Sequence, residues 1–320
     1  MTHQPVLLTE ALDALQIRHD GIYVDGTVGG GGHAEAMLAR LTNGRLVGTD
    51  VDPAALERAR QRLAGFGARV SLHRASYVDL GAVLDGLEID QVDGVLFDLG
   101  LSSLQLGDPR RGFSFQMDAP LDMRFDPDCD LRAHEIVNRW DEGAIVRILR
   151  DYGEERFARR IARRIAQARA ERPVDTTRKL ADLVTEAIPK PAQRGHHGGR
   201  DVHPATRTFQ ALRIAVNDEL TNVERGLSVA FERLATDGRL VVITFHSLED
   251  RLVKRYMKAK AQGCVCPPDL PVCACGREPE AEIVAHKTPT DAERERNPRS
   301  RSARLRALRK LTSPSARTER

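Results

Sequence analysis

Three aspartates stand where hydrophobic runs end: Asp25 in "GIYVDG", Asp50 in "RLVGTD" and Asp98 in "GVLFDLG". Between the first two lies "DGTVGGGGHA", four consecutive glycines followed by His33. A glycine run lets a ligand approach main-chain N–H groups where a Cβ would collide. Gly29-x-Gly31-x-x-Ala34, with acidic Asp50 about 20 residues on, formally meets the dinucleotide fingerprint. Two details oppose a dinucleotide. The hydrophobic run ends at Asp25, so the glycines lie further along than the fingerprint requires. Three carboxylates, with no Lys or Arg in the loop, would also repel a pyrophosphate. No GxxxxGK[ST] occurs, so a Walker phosphate loop is excluded. The same anions suit a ligand that carries positive charge and a ribose. The plainer alternative is a tight glycine turn with aspartates as caps. That role is assigned to Asp52 ahead of Pro53, and Asp25 is a candidate to accept the turn's own N–H groups.

These residues need a scaffold that gathers strand ends. Segments 21–26, 45–50, 69–75 and 94–100 read as strands, and "HAEAMLARL" and "PAALERARQRL" between them as helices. Strands alternating with helices imply βαβ units and a parallel sheet covered on both faces. The expected class is α/β, a Rossmann-like sheet that binds its ligand outside the carboxyl ends of the strands. S-adenosylmethionine fits that pocket, with a cationic amine and sulfonium and a ribose diol for Asp50. A helix over roughly 204–235 then leads to a fifth strand, "GRLVVITFHS" (238–247), with His246 at its end; Ser247 and Asp250 read as a capping box. About a hundred residues separate the fourth strand from that helix, where a crossover needs only a few dozen. The excess contains "DEGAIVRILRDY", "EERFARRIARRIAQARAER" and "TRKLADLVTEAI" and is expected to be an inserted, mostly helical subdomain. The expected domains are therefore 1–106 with 213–320, interrupted by 107–212.

Composition narrows the class. The 320 residues are 41% hydrophobic and 30% charged, ordinary globular values. No apolar run approaches the ~20 residues of a membrane span, and the N-terminus lacks a signal-peptide pattern. A cytoplasmic protein without a membrane partner is expected. Net charge is only +3, but arginines gather in 156–172 and 294–310. Phe157, Ile161 and Ile165 share one stripe of the first segment, and Arg156, Arg159, Arg160, Arg163 and Arg164 cover much of the rest. With "KPAQRGHHGGR" (190–200) and the arginine-rich tail, expected to be disordered in part, this reads as a footprint for an RNA backbone. Four of five cysteines crowd into "CVCPPDLPVCACG". Four thiols so close can bind zinc, yet C-x-C spacing departs from the familiar C-x2–4-C. A reduced, proline-stiffened turn is the alternative, and no metal is assigned.

Several stretches together resemble the bacterial MraW/RsmH family: "HQPVLLTEAL", "DGTVGGGGHA", "DLGLSSLQL", "GFSFQMDAPLDMRFD", "HPATRTFQALRIAVNDEL" and "ITFHSLEDRLVK". The resemblance is collinear from residue 3 to about 310. It implies a class I methyltransferase fold and S-adenosylmethionine-dependent methylation of cytosine N4 in small-subunit (16S) ribosomal RNA, near the decoding centre. The implied cofactor contacts are Gly31, Gly32 and His33 in the glycine loop, Asp50 at the ribose, Tyr77 beside the adenine, and Asp98 and Gln105 after the fourth strand. A half-buried core aromatic is the competing role for Tyr77. Leu104 replaces a proline common in relatives. Implied partners are 16S rRNA within the small ribosomal subunit; a homodimer is left open.

The chemistry implied is demanding, because the lone pair of cytosine N4 is delocalised into the ring. Methylation needs acceptors for the two N–H groups and in-line positioning against the sulfonium. Amino-methyltransferases commonly carry [DNS]-P-P-[YFW] at the fourth strand end. "DLGLSS" keeps the acid but has neither prolines nor aromatic, so the base-stacking partner is unassigned. The catalytic candidates are Asp98 as acceptor, Ser102 orienting the amine unless it merely caps the next turn, and His246 against the base. No cysteine stands at a strand end, which disfavours attack on ring carbon C5. Two rivals are a nicotinamide-dependent oxidoreductase and a non-catalytic rRNA-binding assembly factor.

Overall fold

The computed structural model describes residues 5–190, 203–267 and 274–312. These divide into two compact units, one comprising residues up to Gly100 and from Leu220 onward, the other Leu101–Glu219. Contacts change hands at 100/101 and 219/220, where sequence patterning placed the breaks at 106/107 and 212/213. The difference arises because Leu101 and Leu106 pack against the second unit's core, as do Phe209, Leu212 and Val216.

In the first unit, seven strands form one sheet: β1 (Ile22–Asp25), β2 (Arg45–Asp50), β3 (Val70–Arg74), β4 (Val92–Asp98), β5 (Leu234–Thr244), β6 (Ala281–Lys287) and β7 (Arg304–Lys310). Their order is β3-β2-β1-β4-β5-β7-β6. β1 to β5 are parallel, and β7 runs antiparallel to both β5 and β6. Alternate residues of β4 feed two cores, as expected for a strand covered on both faces. Leu96 joins Met37, Leu38, Leu56 and Ala59 on one side. Val95 and Phe97 join Leu80, Leu84, Val223 and Leu227 on the other. The chain steps outward from β1 to β2 to β3, then returns to lay β4 on β1's free side. This is a Rossmann-like sheet whose switch point lies between β1 and β4, flanked by Asp25 and Asp98.

Local signals formed the expected helices beside these strands. Asp52 caps Pro53–Leu63 by accepting the Ala54 N–H, with Pro53 preorganised in the first turn. Three expectations need correction. The segment 204–235 is two helices, Thr206–Asn217 and Glu219–Arg233, broken at Asp218 in the left-handed region (φ 46°). Asn217 secures the break, its amide donating to the Met123 carbonyl (2.8 Å) and accepting from Phe125 N–H (2.6 Å). The arginine-rich segment at 304–310 is not a loose tail but β7, an interior strand. Its Leu305, Ala307 and Leu308 are fully buried. Charge concealed the alternation that buries them. Finally, the box opening Ser247–Ala261 is made by His246 and Glu249, not Ser247 and Asp250. Asp250 instead binds Arg306 (2.7 Å) and Arg304 (3.1 Å) of β7.

The second unit is helical: Ser103–Gly107, Ala133–Arg139, Glu142–Asp151, Ala158–Glu171, Thr177–Ala187 and Thr206–Asn217. Ile161 and Ile165 are buried in its core with Ile145, Leu149, Leu180 and Val184. Arg156, Arg159, Arg160 and Arg163 face solvent. Arg164 pairs with Glu186 at 2.7 Å, and Arg169 donates to the carbonyls of Val137 and Trp140. The loop 191–200 lies outside the described residues; only Lys190 of that stretch is within them.

Candidate functional site

Each strand end at the switch point delivers its carboxylate through main-chain geometry. Parallel register sets Asp25 beside Leu96, two residues before Asp98, and beside Gly48, two residues before Asp50. The loop after β1 is bound to these strands: Gly26 N–H donates to Leu96 O (2.9 Å) and Val28 N–H to Thr49 O (3.0 Å). Thr27 binds both neighbours, donating its N–H to Asp25 Oδ1 (3.2 Å) and accepting the Asp98 N–H on its hydroxyl (2.6 Å).

The glycines serve two purposes. Gly31 caps the helix Gly32–Arg40 at φ 78°, a conformation L side chains rarely adopt. A Cβ on Gly32 would lie 2.5 Å from the ring of Pro5, so this bareness serves packing. A Cβ on Gly30 would meet nothing within 4 Å, so the open part of the loop is there.

Asp50 was expected to be free for a ribose, with Asp25 spent on the turn. The structure engages both. Asp50 accepts from Gly29 N–H through Oδ2 (2.8 Å) and from Asp52 N–H through Oδ1 (2.9 Å). A carboxylate has about four acceptor positions, so these bonds fix its orientation and leave capacity for hydroxyls. Burial pushes the Asp50 carboxyl up to about 6, against the lowering effect of those two N–H groups. Burial likewise pushes Asp25 up to about 7; the Thr27 N–H opposes the shift and the charge of Asp50 adds to it.

Asp98 is raised as well. Burial raises its carboxyl well above the usual range, and the charges of Asp25 and Glu249 raise it further. Its Oδ1 is a buried atom with no hydrogen-bond partner among the described residues. Its Oδ2 lies 3.6 Å from Nδ1 of buried His33. The other ring nitrogen, Nε2, lies 3.0 Å from the carbonyl of Val6. A carbonyl only accepts, so Nε2 carries a proton and Nδ1 is left to face Asp98.

Glu249 was not singled out in the sequence, although it completes the acidic group. Fully buried, it accepts the N–H groups of Phe245 (2.9 Å) and His246 (3.4 Å). The signal for it was the S/T-x-x-E pattern, displaced by one residue because histidine replaces the usual hydroxyl cap. His246 accepts Glu249 N–H on Nδ1 (3.4 Å) and sets Nε2 3.0 Å from Glu249 Oε1. Its Nδ1 serves the helix cap.

Tyr77 lies against the loop, its Cβ 3.2 Å from where a Gly26 Cβ would stand. Its ring packs on Phe97 with centroids 5.0 Å apart, and a Cβ on Gly226 would strike it at 2.3 Å. It is a half-buried aromatic wedged between β4 and the helix Glu219–Arg233. Ser102 and Gln105 belong to the second unit. There they cap one another: Ser102 N–H donates to Gln105 Oε1 (2.9 Å) and Gln105 N–H to Ser102 Oγ (3.2 Å). The structure therefore brings together Gly31, Gly32, His33, Asp50, Tyr77 and Asp98 in one unit, and describes Ser102 and Gln105 within the other.

Such an arrangement of raised carboxyls and one unpartnered buried oxygen suits a cation that donates hydrogen bonds. The profile of a family described as "MraW methylase family" matches residues 1–311. The "Ribosomal RNA small subunit methyltransferase H" of Heliobacterium modesticaldum is 52% identical over 313 residues, covering 97% of this chain and 98% of that protein. Its namesake from Symbiobacterium thermophilum is 53% identical over 312 residues, covering 97% and 96%. A third, from Syntrophotalea carbinolica, is 49% identical over 312 residues, covering 97% and 98%.

Proposed function

The chain belongs to the MraW methylase family, and from that premise we propose that it methylates the exocyclic N4 of a cytidine in 16S rRNA, with S-adenosylmethionine as methyl donor. The observation that carries the chemistry is Asp98, a strand-end carboxyl with a raised pKa and a buried oxygen lacking a partner. The residues present fit the donor: its amine and sulfonium are cations, and Asp25, Asp50 and Asp98 are the anions opposite. S-adenosylmethionine supplies an electrophilic methyl group.

The roles follow. Gly31, Gly32 and His33 line the loop that receives the methionine end. Asp50, oriented by two main-chain N–H groups, accepts the ribose hydroxyls. Tyr77 offers a fixed edge to the adenine. Gln105 contributes a polar contact from the segment after β4. Asp98 Oδ1 accepts an N–H of the target amine and holds its proton as the nitrogen gains a bond. Ser102 orients the amine, and His246 acts at one remove by fixing Glu249 beside Asp98. No cysteine thiol is among these groups, so nothing here attacks a pyrimidine ring.

The substrate is rRNA within the small ribosomal subunit, near the decoding centre, which makes the cytoplasm the site of action. No helix among the described residues is long and apolar enough to cross a membrane. The exposed arginines of Ala158–Glu171 hold the phosphates. Sedimentation of the purified chain separates a monomer from the homodimer left open by the sequence. The deciding experiment is to methylate small subunits and naked 16S rRNA in vitro, digest them and separate the nucleosides by mass spectrometry. N4-methylcytidine is expected. A 5-methylcytidine, a ribose methyl or a methylated purine would overturn the assignment.

A further inference from the structure

The segment joining the helix Ser247–Ala261 to β6 leaves and returns at one place. Glu280 N–H donates to the Lys260 carbonyl (2.9 Å), the Lys260 ammonium binds the Glu280 carboxylate (2.7 Å), and Arg277 donates to the Ala259 carbonyl (2.7 Å). Within it, the sulfurs of Cys264, Cys266 and Cys275 all lie within 4.8 Å of one another. Cys273 lies outside the described residues.

We propose that Cys264, Cys266 and Cys275 form a thiolate site for Zn2+ that staples this connection. Zn–S bonds of about 2.3 Å at tetrahedral angles put neighbouring sulfurs about 3.8 Å apart. The Cys264 and Cys275 sulfurs are 3.7 Å apart, the edge of such a tetrahedron. A disulfide requires about 2.05 Å, and these three cysteines are thiols. The Cys266 N–H also points at the Cys264 sulfur (3.4 Å), a main-chain hydrogen bond of the kind that orients ligands and tunes thiolate sites. C-x-C spacing, unfamiliar in zinc fingers, serves here because one intervening residue turns both thiols to one side. Three thiols lose three protons to a dication, giving a monoanionic centre, and water or another side chain completes the coordination. Cys264 and Cys275 are exposed, so an ion can enter without unfolding the chain.

The test uses the full-length, reduced, chelator-treated protein. Titration with Co2+ is expected to give sulfur-to-cobalt charge-transfer absorption saturating at one equivalent, and Zn2+ should abolish it. Cys264→Ser, Cys266→Ser and Cys275→Ser should each weaken binding by about a hundredfold or more, whereas Cys129→Ser, an exposed cysteine outside the cluster, should not. A readout that needs no variant is alkylation by iodoacetamide followed by peptide mass spectrometry. Zn2+ should slow the reaction at the three clustered thiols by about tenfold or more and leave Cys129 unaffected. Absence of charge-transfer absorption would overturn the site. So would equal alkylation with and without Zn2+, or an unchanged titration in the serine variants.

Discussion

Asp98 combines an orphaned oxygen with a proton it is reluctant to give up, and the two properties have one cause. Taking a carboxylate out of water without a donor disfavours its charged form. A ligand that brings N–H groups or positive charge removes that penalty. Asp98→Asn preserves shape but cannot accept a proton, so turnover is expected to fall about a hundredfold or more. S-adenosylmethionine affinity, measured alongside by calorimetry, separates a role at the amine from one at the cofactor; near-normal turnover would remove Asp98 from the chemistry. Asp50→Ala removes a charged acceptor and the anchor of Gly29 together, and is expected to weaken S-adenosylmethionine binding by about 2 kcal/mol. An unchanged dissociation constant in a folded variant would remove Asp50 from the cofactor site. The pH response follows from Asp25 at about 7 and Asp50 at about 6. Both lie above the unfolded value, so their contribution to stability is present at acid pH and is lost as pH rises through those values. A cationic ligand reverses the preference, because it favours the ionised forms. Its affinity should rise from pH 5 to 8, by up to about tenfold per unit for each proton displaced. Calorimetry in buffers of different ionisation enthalpy should register proton release. S-adenosylhomocysteine, without the sulfonium charge, should show a weaker trend; identical pH profiles for the two would sink the electrostatic account.

Among the elements, helix Ser247–Ala261 illustrates how a sequence motif can be real and its members misassigned. His246 and Glu249 cap it, and Asp250 is held by Arg306 and Arg304. Burial alone would raise the Asp250 carboxyl, yet the hydrogen bonds and charges of the two arginines outweigh it and the net shift is downward. His246→Ala should cost about 1–3 kcal/mol of stability through the lost cap and the buried Glu249 left beside it. If thermal unfolding were unchanged while turnover collapsed, the ring would belong to the chemistry and not to the helix. The first four strands were legible because their hydrophobic runs, three of them ending in an aspartate, alternate with helical stretches. β7 was not, because "RLRALRK" presents four basic residues in seven and tertiary pairing, not composition, buries the others. β6 shares that concealment as the edge strand, with Ile283 about half exposed. At the site, strand-end positions could be read from the sequence. Which N–H each carboxylate accepts could not, since that depends on register and loop path. The approach of His33 Nδ1 to Asp98 (3.6 Å) was equally invisible, because it depends on the carbonyl of Val6 holding the other ring nitrogen.

At the scale of the whole molecule, the net charge of +3 says little and its placement says more. Arg304, Arg306 and Arg309 are drawn into ion pairs with Asp250, Asp237 and Glu282, so β7 is a poor source of phosphate contacts. Truncating the chain before β7 would delete an interior strand of the sheet and test folding instead of RNA binding. The exposed arginines of the second unit are better placed. Arg159, Arg160 and Arg163 stand on the solvent face of a helix whose opposite face is locked into a core by Ile161 and Ile165. Neutralising all three as Arg→Gln preserves helix propensity and should leave unfolding temperature nearly unchanged. Binding to rRNA should weaken most at low salt. Each phosphate contact contributes about 0.7–0.9 to the slope of log affinity against log salt, so the variant's slope should be shallower by about 2–3. S-adenosylmethionine affinity should not change, because these residues are not part of the carboxylate cluster. Filter binding across a salt series reads the slope directly. An unaltered slope would mean that this face is merely solvated and that the RNA is gripped elsewhere.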